Sequence, residues 1–239
     1  PMPEGKGRDD GDRTGIIKTV AENQAEFKTA PGYEVSLFAS EEQFPELRNP
    51  VQIAFDARGR LWVVTMPSFP HTVPGLTPPD KIIILEDTDR DGKADKLTHY
   101  LDNLNCPTGF QFHKDGVLVM RSPDLLWLRD TNGDDTFDKV DLIRGYTERA
   151  GEHGPHYVVP GPDGESIYVI VGNQTPLTQY TKNRVPAVWQ EDLLLPRIYG
   201  RGFMKDALAP RGWVAKVSLD GKEWELLESR RSIVTTLIC

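Results

Sequence analysis

Pro50-Val51-Gln52-Ile53-Ala54-Phe55-Asp56-Ala57-Arg58-Gly59-Arg60-Leu61-Trp62-Val63-Val64 reads as a single hairpin. An apolar, β-branched run climbs to Asp56, a turn carries Gly59, and Leu61-Trp62-Val63-Val64 returns. The unit recurs as Pro107-Thr108-Gly109-Phe110-Gln111-Phe112, a turn to Gly116, and Val117-Leu118-Val119-Met120. It recurs again as Tyr157-Val158-Val159-Pro160, a turn holding Gly164, and Ile167-Tyr168-Val169-Ile170-Val171. Short strands repeated at intervals of about 40–50 residues are the mark of a β-propeller, with an ordinary β-sandwich as the alternative.

In the first two repeats a further apolar strand leads into an acidic loop. Lys81-Ile82-Ile83-Ile84-Leu85 precedes Asp87-Thr88-Asp89-Arg90-Asp91-Gly92-Lys93-Ala94-Asp95. Carboxylates stand at positions 1, 3, 5 and 9 of the loop, with a turn glycine at position 6. Calcium takes six to eight oxygens, and alternate carboxylates curl around one ion; Lys93 at position 7 offers its backbone carbonyl. An EF-hand would place Glu at position 12, where this chain has Thr98, so the loop is a shorter calcium loop. Leu125-Leu126-Trp127-Leu128 leads into the echo, Asp130-Thr131-Asn132-Gly133-Asp134-Asp135-Thr136-Phe137-Asp138. Asp130, Asn132, Asp134, Thr136 and Asp138 are its candidate ligands. Asp135 stands where the first loop has glycine, a left-handed position that Asp takes less comfortably. Two solvated acidic turns holding no ion are the plainer alternative.

The chain has 239 residues, 38% hydrophobic and 27% charged, enough for one large or two small cores. Its net charge is −8 and no basic patch is visible, which argues against a nucleic-acid binder. No apolar run approaches membrane-spanning length. Only Cys106 and Cys239 are present, without a haem-attachment motif or the thiols of a structural zinc site.

Residues 1–26 read as a polar, flexible leader with a short helical segment around Ile16–Phe27. Glu34-Val35-Ser36-Leu37-Phe38-Ala39 alternates like a strand. Leu177–Pro210 breaks the rhythm with Pro186, Pro196 and Pro210 and reads as a long inserted loop. Trp213–Val217, a turn at Asp220-Gly221 and Glu223–Leu227 make one more hairpin. Residues 27–228 therefore form the propeller region, and 229–239 a tail that does not continue the repeat. Trp62, Trp127, Trp213 and Trp224 are expected to pack the sheets.

The runs Pro31-Gly32-Tyr33-Glu34-Val35, Pro50–Asp56, Gly59–Val63 and Ile84–Asp95 resemble the bacterial "putative membrane-bound dehydrogenase" domain. That family is similar to the soluble glucose and sorbosone dehydrogenases, propellers that use pyrroloquinoline quinone and calcium. The resemblance implies an all-β, incomplete propeller from a six-bladed parent, with roughly three to four blades present. It further implies an exported, periplasmic or membrane-associated protein. Its substrate would be a sugar or alcohol, and its partners a missing C-terminal propeller segment and an electron-accepting cytochrome.

Glu152-His153, followed by Gly161-Pro162-Asp163, Ile167-Tyr168 and Gly172-Asn173, resembles the segment that holds the catalytic base of glucose dehydrogenases. On that resemblance His153 takes the substrate hydroxyl proton and Glu152 orients it; imidazole suits that step because it titrates near neutrality. His156, Asn173 and Gln174 would line the cofactor pocket, and His71 lies in a loop after a strand. The family's quinone-clamping Arg and Lys have no counterpart that can be placed here, which implies little dehydrogenase activity in this chain alone. Hydrogen-bonded loop histidines are the plainer reading of His153 and His156. Gly154-Pro155 breaks any helix that would pair them on zinc. Two other functions stay open: a calcium-stabilised propeller that binds or hydrolyses a ligand, as lactonase-type propellers do, and a non-catalytic interaction platform.

Overall fold

A computed structural model describes residues 18–69, 75–121, 123–145, 154–177, 179–186 and 211–229. Three sheets, antiparallel but for one short added strand, account for about half of them, and none of the three closes on itself. The first is β1 (Pro50–Phe55), β2 (Leu61–Thr65), β3 (Asp80–Glu86) and β4 (Lys96–Leu104) in chain order. The second repeats that meander with β5 (Pro107–His113), β6 (Gly116–Arg121), β7 (Asp124–Arg129) and β8 (Lys139–Gly145). The third orders β9 (Pro155–Pro160), β10 (Ser166–Pro176), β12 (Arg211–Ser218) and β13 (Trp224–Ser229), with β11 (Lys182–Asn183) added parallel to β13.

Side-chain alternation decides what each sheet touches. Trp62 and Val64 of β2 pack with Phe110, Val117 and Val119 of the second sheet. The intervening Leu61 and Val63 face the other way, onto Phe38, Phe44 and Leu47. One step along, Leu118 and Met120 of β6 join Val158, Val169 and Trp213 of the third sheet. Strands covered on both faces lose their polar half, which is why β2 is buried at every position. Trp62, Trp213 and Trp224 are buried, and Trp127 packs against the second seam, as the sequence implied.

The edge strands β1, β5 and β9 follow one another: β5 contacts β1 and β2, and β9 contacts β5 and β6. Gln52 of β1 ties the first pair. Its amide donates to the Phe110 carbonyl and accepts from the Phe110 N–H, both at 2.7 Å. Thr108 Oγ1 donates to the Pro155 carbonyl at 2.6 Å across the second pair.

Two sequence expectations change. Glu34–Ala39 forms no strand; its one ladder-like bond is Ala94 N–H to the Phe38 carbonyl at 2.8 Å. Phe38 and Ala39 instead pack on the first sheet, Phe38 meeting Phe55 of β1 edge-on, so the alternation reflects a covering segment rather than a paired one. In the β5–β6 turn the left-handed residue is Lys114 (φ 51°), not the glycine. Gly116 is needed for another reason: a Cβ there would stand 2.2 Å from the Leu128 carbonyl oxygen. The expected helical segment is the α-helix Val20–Ala25, the one α-helix among the described residues, closed by a capping box between Thr19 and Glu22. No helix among the described residues is long and apolar enough to cross a membrane.

Candidate metal centre

The loops after β3 and β7 share one backbone. In each, the fourth and sixth positions are left-handed: Arg90 and Gly92 in the first, Gly133 and Asp135 in the second. In each, the first Asp accepts backbone N–H bonds from across the turn: Asp87 from Asp91 and Gly92, and Asp130 from Gly133, Asp134 and Asp135. The last Asp closes each loop onto the second-position threonine, Asp95 onto Thr88 and Asp138 onto Thr131, both hydroxyls donating at 2.6 Å. The Thr88 hydroxyl, together with backbone donors, holds the Asp95 carboxyl below its ordinary value.

Within the first loop, Asp87, Asp89 and Asp91 each turn a carboxylate oxygen to a common point, all three oxygens within 4.8 Å of one another. Three anions at that separation repel unless a cation joins them. Hard carboxylate oxygens on an exposed loop match calcium and not a soft metal. Asp95, expected as a fourth ligand, is turned to Thr88, and Lys93 donates its backbone N–H to Asp91. The second loop is a weaker version: Asn132 replaces a carboxylate, and its amide nitrogen donates to Asp134 at 3.2 Å. Thr136 donates its backbone N–H to Asp134.

At Asp135 the two loops part company. With φ at 64° it keeps the turn that glycine makes in the first loop, and it adds a carboxylate. That carboxylate accepts from Arg60 Nη1 and Arg58 Nη2, both at 2.6 Å, across the boundary between the first two sheets. Arg60 is buried, and its Nε also donates to Asp56 Oδ2 at 2.8 Å. The Arg60 hydrogen bond holds Asp135 below the usual carboxylate range. Burial pushes Asp56 upward, but hydrogen bonds from Trp62 and Arg60 outweigh it and leave Asp56 low as well. Asp56, Arg58, Arg60, Trp62, Tyr100 and Asp135 line a cleft of about 300 Å³. Burial, then the aspartates of the second loop, push the Tyr100 phenol well above its ordinary value, so it stays neutral. The sequence signal for this clamp was the aspartate standing where the loop called for glycine.

The catalytic candidates Glu152 and His153, and His71, lie outside the described residues. His156 is half-buried on β9. Asn173 and Gln174 belong to β10, and their side chains lie outside the described residues. The Gly161-Pro162-Asp163 turn has a structural use: Asp163 accepts from Ser166, Glu165 and Lys216, and those bonds hold its carboxyl well below the usual range.

No curated protein matches the chain. Residues 19–198 match the family described as a domain of unknown function (DUF7133), and that span, most of the chain, places the protein in this family.

Proposed function

We propose that the three sheets are blades of a β-propeller and that the acidic loops of the first two bind calcium at its periphery, chiefly for stability. The observation that carries this reading is the convergence of Asp87, Asp89 and Asp91 on one point. The shared backbone of the second loop supports a second, weaker site at Asp130, Asn132 and Asp134. The sequential meanders, with each edge strand resting on the preceding sheet, support the propeller. An ion bound only by the folded loop stabilises the fold by mass action. Millimolar calcium should raise the melting temperature, and Asp89→Ala with Asp91→Ala should abolish most of that rise. Identical melting curves in calcium and in chelator would sink the proposal.

A quinone-dependent sugar or alcohol dehydrogenase, in an exported protein, is the second reading. The placement of His156 on the edge strand β9 favours it, since in a propeller the innermost strands face the channel. Pyrroloquinoline quinone carries three carboxylates and calls for free cations. The cleft's arginines do not fit it, because Asp56 and Asp135 already neutralise them. On this reading the cofactor sits near β9, and His156→Ala should weaken its binding, as should His153→Ala on the resemblance. Quinone titration followed by absorbance tests this; an unshifted spectrum removes the reading.

A further inference from the structure

Residues 18–47 lie over the first sheet without belonging to it. Their own pieces are tied together: the Val20 N–H donates to Glu42 Oε1 at 3.0 Å, and the Gln24 amide donates to the Val35 carbonyl at 3.3 Å. Phe38, Ala39, Phe44 and Leu47 cover an apolar face of Leu61, Val63, Ile83 and Leu85, all buried. The cover itself is buried nowhere, since every residue from 18 to 47 is half-buried or exposed. A segment with so little buried surface belongs to the low-stability end of a fold.

Its polar attachment runs through one residue. The Ala94 N–H donates to the Phe38 carbonyl at 2.8 Å, and the Ala94 carbonyl accepts from Gln43 Nε2 at 2.7 Å. Among the described residues, no other hydrogen bond joins residues 18–47 to the rest of the chain. Glu46 and His99 stand 3.9 Å apart, beyond hydrogen-bond reach. Ala94 is buried, and it is the eighth residue of the first acidic loop, next to the closing Asp95. The second loop is anchored otherwise. Its eighth residue, Phe137, packs into the first seam with its ring 6.0 Å from that of Tyr100, and Asp135 pins the loop to Arg58 and Arg60. The first loop has Gly92 in place of Asp135, and it must keep three carboxylates together with Arg90 left-handed at φ 65°.

We infer that Ala94 is the latch of a cover that opens ahead of the sheet beneath it, and that calcium in the first loop keeps the latch shut. The second half rests on the calcium reading of this loop. Without a cation, Asp87, Asp89 and Asp91 repel one another, and the loop that presents Ala94 loosens. With the ion in place, the Ala94 N–H and carbonyl are both held toward the cover. Linkage is reciprocal, so the cover tightens calcium by the factor by which calcium tightens the cover. Loss of the ion therefore uncovers the face of Leu61, Val63, Ile83 and Leu85 while β2 and β3 stay paired.

Native-state hydrogen exchange on the full chain, in calcium and in chelator, tests this beside equilibrium dialysis against calcium. The N–H groups of Gln43, Phe44 and Leu47 report the cover, and that of Ala94 the latch. In chelator these four should exchange faster than the amides of β2 and β3, and calcium should slow all four. Gln43→Ala, at an exposed position, should weaken calcium binding by about two- to tenfold, the span of one net hydrogen bond, with an unchanged circular dichroism spectrum. Calcium that binds without slowing the cover, a cover that exchanges only with the sheet, or a Gln43→Ala chain that holds calcium as tightly as the parent would each overturn the inference and leave the calcium reading standing. A chain that retains no calcium in dialysis would overturn both.

Discussion

Asp135 shows how one residue serves two purposes. Its backbone makes a turn that favours glycine, and its carboxylate bridges Arg58 and Arg60 of the neighbouring sheet. Asp135→Asn keeps the turn, because Asn tolerates the left-handed region, but loses the charge pairs. It should lower stability by about 1–3 kcal/mol in urea unfolding. Asp135→Gly relieves the backbone while removing the carboxylate; a net loss there means that the bridge outweighs the strain. The pH dependence has a definite sign. Asp135 and Asp56 titrate lower in the fold than in the unfolded chain. Their contribution is therefore complete above the unfolded value of about 3.9 and fades as pH falls through the lower folded values. Asp135→Asn should flatten that acid limb of the stability curve. At this scale the sequence was half legible. Carboxylate spacing pointed to both loops, but a partner from a hairpin far away in the chain left no local trace.

Among the elements, the hairpins were plain because turn glycines and β-branched runs are local signals. The segment Glu34–Ala39 misled because alternation reports one apolar face, and a covering segment has such a face without needing a ladder partner. Gly116 gave the right hairpin for the wrong reason. The turn's left-handed residue is Lys114, while Gly116 admits the Leu128 carbonyl. Gly116→Ala should therefore cost about 1–3 kcal/mol through forced separation of β6 and β7. Gly59, at φ 80° with open space around it, should lose stability through backbone strain alone. Hydrogen exchange separates the two, since only Gly116→Ala should speed exchange in β7.

Across the whole molecule, what composition and periodicity could convey was an all-β chain of repeated meanders. The seams between the sheets were not legible, because the residues that meet there, such as Gln52 and Phe110, are far apart in sequence and matched only in space. In the Gly161-Pro162-Asp163 turn, likewise, the aspartate is held by Ser166 nearby and by Lys216, which is far away in the chain. The order of the sheets in space is the order of the chain, and each docks chiefly on the one made before it. That bears on how the protein comes off the ribosome. Synthesis runs at about 5–20 residues per second, slow beside the pairing of a hairpin. By the time Pro155 emerges, β1 to β8 are free to have met, and the surface of Leu118 and Met120 waits for β9. The nascent chain thus builds by addition at one growing end, each new sheet covering the apolar face left by the one before it.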